Sequence, residues 1–222
     1  MGLISTKDTE NDNEITFHFP TSKKALIVFT RNPELGKCKT RLAKTVGDKS
    51  ALEIYKHLLK YTANIAKNTN ADKYVFYSET IQKNDLWDAS IFRKKLQEGP
   101  DLGEKMQNAF SYVFSLGYQK VIIIGSDLLD LTPKHIQLAF EALDKNNVVI
   151  GPAKDGGYYL LGMTSINQNL FKNKAWGTST VLKDTLNELQ KSNVFLLEEL
   201  NDIDTFEDME HYQELEKYYK ND

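Results

Sequence analysis

The sequence predicts an α/β fold, a three-layer αβα sandwich around a mostly parallel mixed sheet. Two observations predict it. Short apolar, β-branched runs alternate with segments of helical period, the pattern of strands covered on both faces. The first run, Ala25-Leu26-Ile27-Val28-Phe29, is apolar throughout rather than alternating, as in a buried central strand.

The elements follow in order. After the first strand comes a polar loop from Thr30 to Lys39, then a long helix carrying Ala51, Tyr55, Leu58, Leu59, Thr62 and Ala66 on one face. Tyr74–Tyr77 forms the next strand, and Met106, Ala109, Phe110, Val113 and Phe114 mark an amphipathic helix. Val121–Ile124 is a strand, and Thr132-Pro133 opens a helix that buries Ile136, Ala139, Phe140 and Leu143. Val148–Ile150 and Tyr158–Met163 are strands, and Thr178 or Ser179 opens a helix with Val181, Leu182, Thr185, Leu186 and Leu189. Val194–Leu196 precedes a last helix, where Thr205 and Asp208 form a capping-box pattern. Residues 1–22 are polar and aperiodic and read as a flexible N-terminal tail, leaving 23–222 as one domain.

Composition narrows the function. The 222 residues are 41% hydrophobic and 27% charged with a net charge of −3, so no global basic field recruits nucleic acid or anionic membrane. No stretch approaches the ~18 apolar residues of a membrane span. The N-terminus lacks a signal pattern, and the single cysteine, Cys38, excludes an internal disulfide; both fit a cytoplasmic protein. Met1-Gly2-Leu3-Ile4-Ser5-Thr6 matches the short myristoylation pattern, which is common by accident.

Ligands of such sheets bind at the carboxyl ends of the strands, so the residues following each strand carry the information. The loop after the first strand holds Arg31, Lys37, Lys39 and Arg41, with Pro33 and Gly36 allowing the backbone to curl. Fixed N–H donors, mobile cations and the following helix N-terminus suit a diphosphate. The loop is neither a P-loop nor a dinucleotide glycine motif, and its plain alternative is a solvated basic turn. Cys38 reads as an incidental loop thiol.

Val121–Ile124 runs directly into Gly125-Ser126-Asp127, a strand-end carboxylate suited to Mg²⁺ or Mn²⁺; Asp130 fits a turn or helix-capping role better. In Ala153-Lys154-Asp155-Gly156-Gly157-Tyr158-Tyr159 a hairpin turn and a ligand loop compete. Tyr158 and Tyr159 point to opposite faces of a strand, so at most one meets ligand. Asp202 and Asp204 either cap the last helix or complete the metal site begun at Asp127. The four histidines show no metal-ligand spacing.

Together these motifs resemble the GT-A-type nucleotide-diphospho-sugar transferase superfamily. Within it they look most like the bacterial arsenosugar-biosynthesis, radical-SAM-associated glycosyltransferases. The resemblance rests on Phe29-Thr30-Arg31-Asn32-Pro33 with Gly36, Lys39-Thr40-Arg41-Leu42-Ala43, Asp101-Leu102-Gly103 with Met106, Gly125-Ser126-Asp127, Gly151-Pro152-Ala153 with Asp155-Gly156-Gly157-Tyr158-Tyr159-Leu160, and Trp176. It spans about residues 24 to 210. Leu128-Leu129 departs from the Cys-Pro frequent there, Pro100 from a glycine, and Lys105 from an arginine.

The resemblance implies that Arg31, Gly36, Lys39 and Arg41 meet the donor phosphates, with Asp101, Gly103 and Ser126 near the nucleotide. It places the metal (Mg²⁺ or Mn²⁺) on Asp127 and Asp204. Gly156, Gly157, Tyr158 and Trp176 would border the sugar or acceptor, with Asp155 and Asp127 catalytic. The leading expectation is glycosyl transfer from a nucleotide-diphosphate sugar to a small acceptor. Nucleotidyl transfer from a nucleoside triphosphate to a phosphorylated small molecule competes, because Lys39–Ala43 also resembles the 2-phospholactate guanylyltransferases. A nucleotide-binding module without turnover is the third reading.

Overall fold

The computed structural model describes residues 20–220. The myristoylation pattern, His18 and most of the expected tail lie outside the described residues. Thr21 donates from its backbone N–H to the Asp72 carboxylate at 2.8 Å and also bonds it through its hydroxyl.

Seven strands form one sheet: β1 (Lys24–Thr30), β2 (Asp72–Tyr77), β3 (Phe92–Leu96), β4 (Lys120–Ile124), β5 (Val148–Pro152), β6 (Tyr158–Met163) and β7 (Val194–Leu196). Their order is β3-β2-β1-β4-β6-β5-β7. β3, β2, β1 and β4 run parallel, while β6 is antiparallel to both β4 and β5. The sheet is therefore mixed, and β5–β6 is a true hairpin.

The helices are α1 (Thr40–Lys67, interrupted at Gly47), α2 (Leu102–Ser115), α3 (Pro133–Ala142), α4 (Val181–Glu188) and α5 (Phe206–Met209). Residues of β1 alternate between two cores, which is what makes three layers. Leu26 and Val28 pack with Tyr55 and Leu59 of α1 and Ile136 and Phe140 of α3. Ala25 and Ile27 pack with Phe110 and Val113 of α2 and Leu189 after α4. A third cluster folds the C-terminal segment over α1: Ile203, Met209 and Leu215 against Leu42, Ile54, Leu58 and Leu129. Fully burying each such side chain contributes about 1.5–3 kcal/mol.

The sequence did not foreshadow β3. Phe92-Arg93-Lys94-Lys95-Leu96 has no apolar run because it lies at the sheet edge, where lysines deter further pairing. The helix expected to open at Thr178 or Ser179 begins at Val181, after Thr180. Asp130 caps no helix. Thr132 and His135 close the α3 N-terminus through a 2.9 Å bond from Thr132 N–H to Nδ1, while Asp130 accepts a 2.7 Å bond from Tyr212. Asp130 thus ties down the C-terminal segment. Among the described residues no helix is long and apolar enough to cross a membrane.

Candidate functional site

Because β1, β2, β3 and β4 are parallel, their carboxyl ends share one edge, and a cleft of about 680 Å³ opens there. Arg31, Lys37, Lys39, Thr40 and Arg41 line it together with Ser126, Asp127 and Asp204. The basic loop and the strand-end aspartate therefore converge.

Their contact is direct. Lys39 Nζ lies 2.9 Å from Asp127 Oδ2 and 2.6 Å from Asp204 Oδ1, and Arg41 also pairs with Asp204. Only 6% of the Lys39 side chain is exposed, against 32% and 27% for its two carboxylate partners. Burial by itself disfavours the ammonium, but Asp127 and Asp204 outweigh it and raise the Lys39 pKa. Burial likewise works against the Asp204 carboxylate, and Lys39 and Arg41 overcome it, leaving that pKa lowered.

Lys39 is placed by a backbone turn in the left-handed region, φ 50° and ψ 45°, immediately before α1. A non-glycine residue adopts that conformation only where its surroundings hold it, and the two ion pairs do so. Helix α1 starts with no side-chain cap and no acidic residue in its first turn. Its first N–H groups, which have no intrahelical partners, and its positive end are left for an anion. Arg31 and Lys105 also line the cleft and make no ion pair with any described residue.

The Asp202-Ile203-Asp204 segment explains how the carboxylates arrive. Ile203 is fully buried in the third core cluster, and its N–H donates to the Asp127 carbonyl at 3.0 Å. That anchor brings the flanking carboxylates to Asp127. Neither caps α5; Asp208 does so, accepting from Thr205 N–H at 2.7 Å. Asp127, Asp202 and Asp204 each offer a carboxylate oxygen, all within 4.8 Å of one another.

These hard donors suit Mg²⁺ or Mn²⁺. Lys39 and Arg41 supply two positive charges to three carboxyl groups, so negative charge remains for a divalent ion to offset. Asp202 registers the crowding. Burial first, then Asp127, Asp155 and Asp204, push its pKa up to about 7.

A pH dependence follows for the metal-free protein. Asp202 binds its proton more tightly folded than unfolded, so its ionisation costs stability increasingly as pH rises from ~4 to about 7. Asp202→Asn is expected to be more stable than wild type above pH 7 in chelator, with the difference shrinking toward pH 4. Urea titrations at a series of pH values measure it; a pH-independent difference would contradict this origin.

Beyond Asp127 a second cavity of about 210 Å³ opens, sharing Phe29, Leu102, Gly125 and Asp127 with the first. Met106, Leu128, Tyr158, Tyr159, Trp176 and Val181 supply apolar wall, and Asp155, Gly157 and Asp202 polar wall. Both tyrosines border it, although they pack on opposite faces of the sheet, Tyr159 in the first core cluster and Tyr158 against the second. Tyr159 donates its hydroxyl to the Glu198 carbonyl at 3.1 Å, while the buried Tyr158 hydroxyl has no partner among the described residues. Asp155 Oδ1 accepts from Gly157 N–H at 2.7 Å, which fixes the β5–β6 loop.

Of the residues expected at the site, Arg31, Lys39, Arg41, Asp101, Ser126, Asp127 and Asp204 line the cleft, and Asp127, Asp155, Gly157, Tyr158 and Trp176 the second cavity. Asp101 is also the α2 N-cap, accepting from Glu104 N–H at 2.9 Å. Gly36, Gly103 and Gly156 line neither. Gly36 shapes the turn at φ 72°. Gly156 has φ +89°, and a Cβ there would lie 2.3 Å from the Ser179 carbonyl oxygen. A Cβ on Gly103 would lie 2.4 Å from the Phe171 carbonyl oxygen and 2.5 Å from Trp176 Nε1. Gly103→Ala is therefore expected to displace Trp176 and cost about 1–3 kcal/mol. Urea unfolding and tryptophan fluorescence report both effects; unchanged values would contradict the contact.

Three contributors were missed. Gln97 follows β3 and donates to the carbonyls of Thr30 at 3.1 Å and Phe76 at 2.9 Å, holding β1 and β2 ends together in the cleft. Asn32 is buried and accepts from Glu79 N–H at 3.0 Å while donating to the Thr80 carbonyl at 2.8 Å, which pins the Ser78–Glu79 wall. Tyr55, expected only as core, accepts from Arg31 N–H at 2.9 Å and lines the cleft. Cys38 is buried against the Glu34 carbonyl, and burial pushes its thiol pKa up, so it is no reactive thiolate.

A mixed sheet with a cation-lined cleft and an aspartate cluster at its parallel strand ends is the nucleotide-diphospho-sugar transferase fold, as solved relatives bear out. A protein from Desulfovibrio desulfuricans G20, named as a candidate nucleotide-diphospho-sugar transferase, superposes with a TM-score of 0.80 at 29% identity, over 90% of this chain and 94% of that one. A 4-diphosphocytidyl-2C-methyl-D-erythritol synthase shares the fold at TM-score 0.56 and 10% identity, over 86% and 97%. Glucosyl-3-phosphoglycerate synthase from Mycobacterium tuberculosis, solved with Mn²⁺, UDP and glucosyl-3-phosphoglycerate, does so at TM-score 0.50 and 9% identity, over 81% and 70%. The chain belongs to the DUF2064 family, described as an uncharacterized protein conserved in bacteria, whose profile matches residues 61–178. No curated protein matches the sequence.

Proposed function

We propose that the protein is a metal-dependent glycosyltransferase that moves a sugar from a nucleotide-diphosphate donor to a small acceptor. The observation that carries this reading is the junction at Asp127. A cation-lined cleft of polyphosphate size lies on one side and a small, partly apolar cavity on the other. A donor whose diphosphate sits at the junction would reach both.

In this reading Arg31, Lys39, Arg41 and the α1 N-terminus hold the diphosphate, and Asp127, Asp202 and Asp204 hold Mg²⁺ or Mn²⁺. The bound metal supplies charge neutralisation for the departing diphosphate. Lys39, preorganised and desolvated, adds a second fixed charge where negative charge develops. The acceptor hydroxyl oxygen bonds to the anomeric carbon as the carbon–oxygen bond to the diphosphate breaks. In an inverting transfer Asp155 takes the hydroxyl proton. The similarity to the Desulfovibrio protein supports the donor class. The motifs Phe29–Pro33 and Asp155–Leu160 support the finer placement among arsenosugar-biosynthesis glycosyltransferases.

Incubation with nucleotide sugars and with nucleoside triphosphates, each with Mn²⁺, tests the proposal. Metal-dependent release of nucleoside diphosphate from a nucleotide sugar is expected. Pyrophosphate release from a triphosphate would replace this reading with nucleotidyl transfer, and release of neither would favour a binding module.

A further inference from the structure

The second cavity carries information about the acceptor that the donor site does not. Among the described residues its walls include Asp127, Asp155 and Asp202, yet no lysine, arginine or histidine. Two of the nearby cations are committed elsewhere, and Lys154, exposed between Ala153 and Asp155, is not among the lining residues. Lys39 is bonded to Asp127 and Asp204 on the cleft side, and the buried Lys174 is paired with Glu188 at 2.6 Å. The remaining wall is apolar and aromatic, from Met106, Leu128, Tyr158, Trp176 and Val181.

We propose that this cavity selects a small acceptor that is uncharged or cationic and presents an apolar face, and that it rejects phosphorylated and carboxylated acceptors. The inference rests on the glycosyltransferase reading, in which Asp155 meets the acceptor hydroxyl and so places the acceptor in this cavity. Size limits the occupant first. At about 210 Å³ the cavity falls below the ~300–1,000 Å³ of sites for drug-sized ligands, which leaves room for one ring or a short polyol.

Charge limits it next. A phosphate or carboxylate entering here would lose water and face the carboxyl groups of Asp127, Asp155 and Asp202 with no cation among the lining residues. A divalent ion at the Asp127 cluster would be shared between those carboxyl groups and the donor diphosphate, whose own negative charge adds to theirs. A neutral polyol or sugar instead lays its C–H face on Trp176 and Tyr158 and offers hydroxyls to the carboxylates. An amine gains an ion pair.

The test uses whichever nucleotide sugar the protein hydrolyses with Mn²⁺. Glycerol, methyl glucoside and glucosamine are compared with glycerol 3-phosphate, glucose 6-phosphate and glucuronate as accelerators of nucleoside diphosphate release. Neutral or amino members are expected to accelerate release at least hundredfold more than the anionic ones. An anionic member that matches or exceeds its uncharged parent overturns the inference, as does a complete lack of acceleration while donor hydrolysis persists. Failure of donor hydrolysis itself would instead strike the underlying functional reading.

A second arm checks the electrostatic cause. Thr178 is exposed on the cavity rim, so Thr178→Arg adds a cation there without entering the core. It is expected to raise use of the phosphorylated members at least tenfold relative to their uncharged counterparts. A folded variant with no such gain contradicts the charge argument.

Discussion

Lys39→Met is expected to lose about 10²–10³-fold in donor turnover and to destabilise the metal-free fold by about 1–3 kcal/mol. The side chain is nearly isosteric, so the change removes charge rather than volume. Two half-buried carboxylates, Asp127 and Asp204, would be left facing each other with only Arg41 beside them. Breaking a fully buried pair costs about 3–5 kcal/mol; solvent reaching both carboxylates reduces that here.

The pH dependence identifies the cause. The lowered pKa of Asp204 gives wild type a stabilisation that is present above the ordinary carboxylate range and lost as acid protonates the folded group. In Lys39→Met most of that acid-sensitive increment should vanish. Mn²⁺ should also raise the melting temperature of the variant more than that of wild type, because the ion then supplies the missing positive charge. Urea unfolding at a series of pH values checks the stability loss and its acid dependence, and thermal melts with and without Mn²⁺ check the third effect. A variant with wild-type turnover would remove Lys39 from the site.

Asp127→Asn is expected to reduce metal-dependent donor hydrolysis by about 10²–10³-fold with little change in fold. The local structure depends on the Asp127 main chain, whose carbonyl accepts from Ile203, and on the buried Leu128 and Leu129 that follow. None of these needs the carboxylate. Lys39 keeps Asp204 as a partner, so no buried cation is stranded. The Mn²⁺-induced rise in melting temperature should disappear with the activity. Persistence of both would mean that the metal binds elsewhere.

The apolar strands were legible because burial on two faces leaves little choice of residue: Leu26 through Val28 and Val121 through Ile124 could hardly be anything but central. The basic loop and Asp127 were legible as candidates because each follows such a strand. Their approach within hydrogen-bonding distance was not, since it depends on a left-handed turn at Lys39 and on residues far along the chain. Asp202 and Asp204 stand before a helix, where carboxylates commonly cap. The buried Ile203 between them was the available signal that they flank a packed residue instead. Leu128-Leu129, which departs from the Cys-Pro of the resembling family, proves to be an apolar anchor for the Asp127 turn.

β3 escaped for the opposite reason to β1. An edge strand needs few apolar residues, so Phe92–Leu96 looks like a charged loop, and Gln97 at its end went unseen. Gly103 and Gly156 were expected beside ligand, yet a Cβ on either would meet Trp176 or Ser179. Close approach of protein to protein leaves the same trace in a sequence as close approach of ligand.

The most direct test is a crystal structure with Mn²⁺ and the nucleoside diphosphate that binds most tightly, using anomalous scattering to locate the metal. The account predicts manganese on Asp127 with Asp202 or Asp204, bridging to a diphosphate that Arg31 and Lys39 also contact. Manganese and diphosphate bound at separate places, or a diphosphate held without the basic loop, would contradict it.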